Sequence, residues 1–175
     1  MAKFRLLKDW VDHHVPNTQI FTPTPCPIDV LVETHDPDYV HSFQSGTLDA
    51  KAIREIGLPW SERLRDRTIL ALGGTMRTCD LAKTYGLASH LAGGTHHAHF
   101  DRGSGFCIYN DLAVSARYLI NQGLASRVLI FDCDVHQGDG TASILAHHPQ
   151  TFTCSIHAEK NFPVRKVESD LDVNC

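Results

Sequence analysis

The sequence predicts an α/β fold in which helices flank a central parallel sheet. Three short apolar runs, at residues 86–94, 127–134 and 151–157, have the composition of strands. Helical patterns separate these runs at residues 110–122 and 141–147. Strands that alternate with helices are typical of a parallel sheet, and the binding crevice of such a sheet lies at the carboxyl ends of its strands. We therefore expect the functional residues where these three runs end.

Composition restricts the classes of function. The 175 residues are 42% hydrophobic and 21% charged, which is enough for one domain with a sizeable core. Sixteen Lys and Arg against 20 Asp and Glu give a formal charge of -4 without a basic run, so we expect no direct contact with nucleic acid. No apolar stretch reaches the roughly 18 residues of a membrane span. Six cysteines without a C-x-x-C pattern favour a reducing compartment, so we expect a cytoplasmic protein, or a nuclear one in a eukaryote.

Four segments precede the first predicted strand and the long helix before it. Residues 3–14 carry apolar residues at near-helical spacing, which predicts an amphipathic helix. Residues 15–27 contain four prolines and must be extended, since each proline fixes φ and removes a backbone donor. Residues 28–34 are expected to form a brief strand or turn. Asp36 is a suitable N-cap before a proline, and it predicts a helix to about residue 44.

Two further helices have clear starts. Ser61 is the predicted N-cap of one long helix that ends near Gly86. The pair Gly73-Gly74 inside it costs about 1 kcal/mol per glycine relative to alanine. This pair predicts either a close crossing of a neighbouring element or a break in the helix. The helix between the first two predicted strands is capped by Asn110 or Asp111.

The segment after the second predicted strand holds residues suited to metal chemistry. Asp132, Asp134 and His136 recur at every second position, so continued extension would place all three on one side. A carboxylate and an imidazole together suit zinc or a similar divalent ion. His96 and His97 follow the first predicted strand, where a double-glycine turn can aim both rings into one cavity. Convergence of these groups at one sheet edge predicts an active site.

The motifs resemble those of a known family. Three segments carry the resemblance: GGTHHA at residues 93–98, GFCIYND at residues 105–111 and DCDVHQGDGT at residues 132–141. In this order and spacing, the stretch from about residue 29 to residue 173 resembles the zinc-dependent histone deacetylase family, which includes acetoin-utilisation proteins and acetylpolyamine amidohydrolases. Gln137, together with KNFP at residues 160–163 and ESDLD at residues 168–172, looks most like the bacterial and class IV-like branch of the family.

The resemblance implies a three-layer arginase/deacetylase-like α/β fold with a central parallel sheet flanked by helices. It also implies that residues 1–175 form a single partial catalytic domain without the N-terminal strand and the C-terminal part. In the family, the third zinc ligand, an aspartate, and the tyrosine that polarises the acetyl carbonyl lie beyond the point that corresponds to Cys175. We therefore expect this polypeptide by itself to be inactive or weakly active.

Metal sites follow from the resemblance by motif. It implies that Asp134 and His136 bind a catalytic Zn²⁺. It also implies a structural K⁺ site near the zinc, formed by Asp132, Ser155 and backbone carbonyl groups.

Catalytic roles follow in the same way. The resemblance implies that His97 acts as general base and then general acid, with His96 as its electrostatic partner. Asp139 would orient His97, and Asp132 would orient His96. This chemistry is sensible, because a metal lowers the pKa of bound water and a histidine can accept its proton.

A substrate channel is also implied. Gly105, Phe106 and Phe162 would line a narrow channel in which aromatic faces grip the methylene stem of an acetylated lysine. The competing interpretation is that the two phenylalanines are ordinary core residues.

The implied reaction is hydrolysis of the acetyl-amide of acetyl-lysine, in a histone or another protein, to free amine and acetate. Acetylpolyamine or another small acetylated amine remains an alternative substrate. Two alternatives without this chemistry are a non-catalytic protein that binds an acyl group and a purely structural α/β domain. An arginase-like two-metal enzyme would need an aspartate where Gly138 stands. The sequence leaves the physiological substrate and the oligomeric state open.

Overall fold

A computed structural model describes residues 2–175, so Met1, the first residue of the predicted domain, lies outside the described residues. Seven helices and three strands follow one another in residues 2–175: α1 (Ala2–His14), α2 (Ile28–Val32), α3 (Pro37–Ser45), α4 (Ala50–Ile56), α5 (Glu62–Tyr85), α6 (Asp111–Asn121), β1 (Val128–Asp132), α7 (Asp139–Leu145), β2 (Thr151–His157) and β3 (Leu171–Asn174). None of these helices is both long and apolar enough to cross a membrane.

The three strands form one parallel sheet in the order β1-β2-β3. The register pairs Val128 with Thr151 at the start of β1 and Asp132 with Ser155 at its end. Because both strands run in the same direction, the carboxyl end of β1 lies directly beside β2. The prediction of a parallel sheet is confirmed.

Two of the three predicted strands are confirmed, and one is wrong. Residues 127–134 contain β1, and residues 151–157 form β2 with the predicted bounds. Residues 86–94 are irregular instead of extended into a strand. The side chain of His90 in this segment bonds to α5, since its Nδ1 lies 2.9 Å from Thr75 Oγ1. The third strand of the sheet is β3, which was not predicted.

Two short helices differ from the prediction. Residues 28–34 begin with α2 and not with a strand or a simple turn. Pro27 precedes this helix as its N-cap residue with φ −62°, and Leu31 is fully buried, so packing favours the helix. Helix α4 was not predicted, although Asp49 caps its start and Gly57 ends it in the left-handed region.

The predicted start residues of α3, α5 and α6 and the predicted end of α5 are confirmed, whereas α7 begins and ends two residues earlier than the predicted helix at residues 141–147. Asp36, Ser61 and Asn110 each accept a hydrogen bond from a backbone N–H of the first turn of the helix that follows. Gly86, with φ +83°, ends α5 as predicted. These caps supply acceptors for N–H groups that have no partner within the helix.

The glycine pair inside α5 marks a close crossing. Helix α5 is continuous through Gly73 and Gly74, so the predicted alternative of a break is wrong. A Cβ atom at Gly73 would overlap the carbonyl oxygen of Thr24 in the segment that crosses α5. A Cβ atom at Gly74 would lie 2.5 Å from His90 Nε2. Both positions therefore need glycine for packing.

Helix α6 separates two apolar clusters. The larger cluster lies among the helices, and its fully buried residues are Leu31, Val40, Phe43, Ile56, Tyr109 and Val114. The smaller cluster joins α6 and α7 to the sheet through Ala113, Ala116, Ile130 and Leu145. Side chains alternate along β1, so Leu129 and Phe131 face the other way and are exposed. The helices therefore cover one face of the sheet within residues 2–175.

We predict that Gly73→Ala destabilises the fold. Alanine is a better helix former than glycine by about 1 kcal/mol, but its Cβ would overlap the Thr24 carbonyl oxygen. Overpacking of this kind lowers the free energy of unfolding by about 2 kcal/mol after the surrounding structure has relaxed. Urea denaturation of the 175-residue chain measures the loss. Arg63→Ala, at an exposed position of the same helix, is the control and should change stability by less than about 0.5 kcal/mol. A more stable Gly73→Ala chain would contradict the close crossing.

Candidate active site

The loop after β1 brings the predicted metal ligands together. Strand β1 ends at Asp132, and the chain then turns: Asp132 Oδ1 accepts from the Asp134 N–H at 2.9 Å, and Asp134 Oδ1 accepts from the His136 N–H at 2.8 Å. The prediction that continued extension aligns these side chains is therefore wrong. The two successive turns instead bring Asp134 and His136 together, because Asp134 Oδ1 lies 3.0 Å from His136 Nδ1.

Each histidine of the adjacent pair lies against one carboxylate. His97 Nδ1 is 2.7 Å from Asp139 Oδ1, and His96 Nδ1 is 2.6 Å from Asp132 Oδ2. Both imidazoles are buried, and their ring centroids are 4.0 Å apart. The structure shows the two pairings that the resemblance implies. An ionised carboxylate can only accept, so each Nδ1 carries the hydrogen that is donated.

The electrostatics of the two pairs differ. Burial by itself raises the pKa of Asp139, but hydrogen bonds from His97 and His99 outweigh burial and bring this pKa to about 2. Burial by itself lowers the pKa of His96, but the hydrogen bond to Asp132 and the neighbouring carboxylates outweigh it, so this pKa lies above its usual value. Asp139 is therefore an ionised acceptor at neutral pH, and His96 holds its proton more tightly than a free imidazole does.

The Asp134–His136 pair fits part of a zinc site. Burial by itself raises the pKa of Asp134, but hydrogen bonds from His136 and the charge of His96 hold this pKa below its usual value. A metal ligand must be deprotonated in this way. Two ligands of tetrahedral zinc, each about 2.0–2.1 Å from the ion, lie about 3.3 Å apart, which is close to the 3.0 Å between Asp134 Oδ1 and His136 Nδ1. Within residues 2–175, no group of three His, Cys, Asp or Glu side chains is placed to hold a metal.

The predicted channel residues separate into two groups. The rings of Phe162 and His97 are perpendicular, with centroids 4.8 Å apart, and a Cβ atom at Gly105 would lie 2.7 Å from His97 Cδ2. Phe106 instead packs on Gly57, where a Cβ atom would lie 3.0 Å from its ring. Phe106 is 69% exposed and Phe162 39% exposed, so the alternative that both are core residues is wrong. Phe162 and Gly105 border the histidine pair directly.

Ser155 lies opposite Asp132 in the register of β1 and β2. Its hydroxyl group is buried and lies 3.0 Å from His157 Nδ1 and 3.4 Å from the Gly138 N–H. Both side chains of the predicted K⁺ site are therefore at the same sheet edge.

Two residues at the start of α6 hold the loop that carries the histidines. The carboxylate of Asp111 accepts from the backbone N–H groups of Gly94 at 3.0 Å and Thr95 at 2.7 Å. The amide of Asn110 donates to two carbonyl oxygen atoms of the same loop, at 3.3 and 3.1 Å. The sequence predicts these residues only as helix caps. Their place in the motif at residues 105–111 is the signal for this second task.

His35 joins the same loop to α6. Its Nε2 accepts from the Asn110 N–H at 2.9 Å, and its Nδ1–H donates to the His99 carbonyl oxygen at 2.9 Å. Burial lowers the pKa of His35 to about 4, against the opposing effect of its hydrogen bonds to the carbonyl groups of Phe100 and His99. No local pattern singles out His35, because this carbonyl partner is 64 residues away along the chain.

Comparison with known sequences gives one family. A family model, the histone deacetylase domain, matches residues 2–173. An uncharacterized protein of Picosynechococcus sp. (strain ATCC 27264 / PCC 7002 / PR-6) is 50% identical over 175 residues, which cover 99% of this chain and 58% of that protein. The acetoin utilization protein AcuC of Bacillus subtilis (strain 168) is 36% identical over 149 residues, covering 79% of this chain and 38% of AcuC. The chain therefore spans less than two thirds of the length of either relative.

Solved structures share the fold. The crystal structure of an HDAC homolog complexed with SAHA has a TM-score of 0.78 at 25% identity, over 98% of this chain and 51% of that chain. The HD domain of HDA15 has a TM-score of 0.77 at 19% identity, over 94% of this chain and 49% of that chain. These likenesses confirm the predicted deacetylase-like α/β fold with a parallel sheet flanked by helices.

We predict that His35 makes stability depend on pH. Its pKa is about 4 in the folded chain and about 6.5 in the unfolded chain, so only the unfolded state takes up a proton as pH falls between these values. The stabilisation is complete above pH 6.5 and is lost as pH falls towards 4, which corresponds to about 3 kcal/mol. Urea denaturation at pH 7 and pH 4 measures this loss.

His35→Gln is the matched variant for this prediction, because it removes the titrating group and keeps a polar side chain. Other titrating groups contribute equally to both chains, so the difference between the chains isolates His35. The variant should lose less stability than the original chain between pH 7 and pH 4. Equal losses in both chains would contradict the prediction.

Proposed function

The chain belongs to the histone deacetylase family, and from this premise we propose that it carries the proton-transfer residues and two zinc ligands of an acetyl-amide hydrolase. The complete protein would convert acetyl-lysine, in a histone or another protein, to free amine and acetate. The observation that supports this most is the position of His97, which contacts Asp139 on one side and lies 5.8 Å from the His136 ring on the other.

Four side chains form the centre of the proposed site. Asp134 and His136 would hold Zn²⁺, which when bound lowers the pKa of water and polarises a carbonyl group. Asp139 accepts the Nδ1–H of His97, so the Nε2 atom of His97 is left to accept a proton from water. The same atom then donates that proton to the leaving amine.

His96 has an electrostatic task in this proposal. Its ring is 4.0 Å from the His97 ring, and its pKa is raised by the hydrogen bond to Asp132. A protonated imidazole at this place stabilises the negative charge that develops when water attacks the acetyl carbonyl. Asp132 orients His96. That Asp132 also binds a structural K⁺ together with Ser155 remains a prediction.

The residues beside His97 are consistent with an extended acylated amine as substrate. Phe162 offers an apolar ring whose centroid is 4.8 Å from that of the His97 ring, and a methylene stem can pack against it. Gly105 has no side chain to fill the space next to His97. Phe106, which packs on Gly57, would reach the stem only after rotation of its side chain.

A two-metal arginase-like reaction is not supported. It would require a carboxylate two residues after His136, where Gly138 stands. A Cβ atom at Gly138 would lie 2.5 Å from Asp132 Oδ2, so there is no space for a larger side chain. The geometry therefore favours one metal ion.

We predict weak binding of one divalent ion by the 175-residue chain through Asp134 and His136. Binding is weak because a catalytic zinc site takes three protein ligands, whereas residues 2–175 bring Asp134 and His136 together without a third such side chain. Asp134→Asn and His136→Ala should each weaken the binding of the ion by about 10- to 100-fold. Calorimetric titration with Zn²⁺ measures this. His147→Ala, which removes an exposed histidine, is the control and should leave binding unchanged. Equal affinity in all four chains would rule out this metal site.

We predict that hydrolysis needs more than these 175 residues. The full-length Picosynechococcus relative should release acetate from an acetyl-lysine peptide, whereas the 175-residue chain with zinc should be at least ~10²-fold slower. We expect a histidine in that relative at the position that aligns with His97, and its replacement by alanine should lower kcat by about 10²–10⁴-fold with little change in KM.

Acetylated polyamine is the second substrate in the same assay, and a preference for it would overturn the acetyl-lysine assignment. Failure of the relative to hydrolyse either compound would overturn the hydrolase proposal itself. Equal rates for the 175-residue chain and the relative would contradict the expected weakness of this chain.

A further inference from the structure

We propose that His99 is a positioning residue that holds Asp139, and through it His97, in the orientation needed for proton transfer. The inference rests on the proposed function for its catalytic consequence, but its structural part stands on contacts of this chain alone. His99 Nε2 lies 3.1 Å from Asp139 Oδ2, while His97 Nδ1 lies 2.7 Å from Asp139 Oδ1. One carboxylate therefore joins two imidazoles.

The two imidazoles use different oxygen atoms of Asp139, and this matters for geometry. A carboxylate with one donor can rotate about its last side-chain bond, whereas donors on both oxygen atoms fix its plane. Because Asp139 accepts the Nδ1–H of His97, the plane of the carboxylate also fixes the direction of the His97 ring. The opposite atom of that ring, Nε2, is the one that must face water in the proposed reaction.

Burial makes this arrangement necessary. Asp139, His97 and His99 are all buried, so water does not supply the second donor that an ionised carboxylate needs. A buried carboxylate with an unfilled acceptor costs several times the free energy of an ordinary hydrogen bond. The hydrogen bond from His99 therefore allows the Asp139 carboxylate that contacts His97 to remain charged.

His99 is itself held in place by its backbone. Its N–H donates to the Arg102 carbonyl oxygen at 2.9 Å, and its carbonyl oxygen accepts from His35 Nδ1 at 2.9 Å. Since both backbone groups are bonded, the ring of His99 extends from a fixed point towards Asp139. A continuous series of hydrogen bonds thus runs from His35 through His99 and Asp139 to His97.

Within residues 2–175, the His99 ring bonds to Asp139 and makes no hydrogen bond to Asp134 or His136, so its part is to orient and not to react. In the sequence, His99 is one of three histidines in residues 95–107. Its position two residues after His97 indicates that both histidines belong to one site. This spacing does not predict which oxygen atom of Asp139 accepts the hydrogen bond of His99.

Two amide substitutions at one position test the inference. The side-chain nitrogen of glutamine occupies about the position of His99 Nε2, whereas the nitrogen of asparagine corresponds to Nδ1 and does not reach Asp139. Histidine ring spectra of the ¹⁵N-labelled 175-residue chain report which ring nitrogen carries hydrogen, and how fast that hydrogen exchanges with water. In the original chain, we expect His97 in the Nδ1–H form with slow exchange and His99 in the Nε2–H form.

His99→Asn should speed exchange of the His97 Nδ1–H by at least about tenfold, because the carboxylate is then free to rotate. His99→Gln should keep this exchange within about twofold of the original chain. The ring N–H of His35, which bonds to the backbone of residue 99, should persist in both variants and shows that the loop is folded.

Three results would overturn the inference. One is a His97 exchange rate in His99→Asn equal to that of the original chain. Another is a glutamine variant that behaves like the asparagine variant. The third needs no variant: His99 in the Nδ1–H form in the original chain could not donate to Asp139. These spectra require no turnover, so failure of the proposed hydrolase would leave this test intact.

Discussion

One buried carboxylate, that of Asp139, determines the arrangement of the candidate site. A buried charge is tolerated only where hydrogen bonds replace water, and Asp139 has an imidazole on each oxygen atom. These bonds outweigh the effect of burial and bring its pKa to about 2. The carboxylate is therefore charged at neutral pH, and His97 must direct its Nδ1–H towards it. The His97 ring also lies near the loop after β1, since its centroid is 5.8 Å from that of His136.

Hydrogen bonds from the start of α6 fix the loop that carries His96 and His97. Asp111 and Asn110 bind its backbone, and His35 binds both α6 and the loop. Helix α6 packs in turn against β1 through the cluster that contains Ile130. One helix, α6, thus fixes both the sheet edge that carries Asp132 and the loop that carries the histidines. This explains how His96 and Asp132, about 35 positions apart in the chain, meet within hydrogen-bonding distance.

Local signals account for the parts of the fold and the site that the sequence predicted. Asp36, Ser61 and Asn110 are caps whose side chains act within four residues, and β2 is an apolar run that pairs on both sides. Residues 86–94 were predicted as a strand because they are apolar, but the His90 side chain bonds to α5 instead. Strand β3 has four largely exposed residues, and only its pairing with β2 makes it a strand. The pairing of His96 and His97 with carboxylates came from motif resemblance, whereas the second partner of Asp139 depends on tertiary contacts that no local pattern contains.

We propose that a single metal ion binds Asp134 and His136, next to a histidine pair whose orientation is fixed by Asp132 and Asp139. Anomalous X-ray scattering at the zinc edge, from crystals of the 175-residue chain soaked in Zn²⁺, tests this most directly. The predicted result is one peak about 2.0–2.2 Å from an oxygen atom of Asp134 and a ring nitrogen of His136, with His97 Nδ1 still bonded to Asp139. A peak at other residues, or a His97 ring turned away from Asp139, would contradict it.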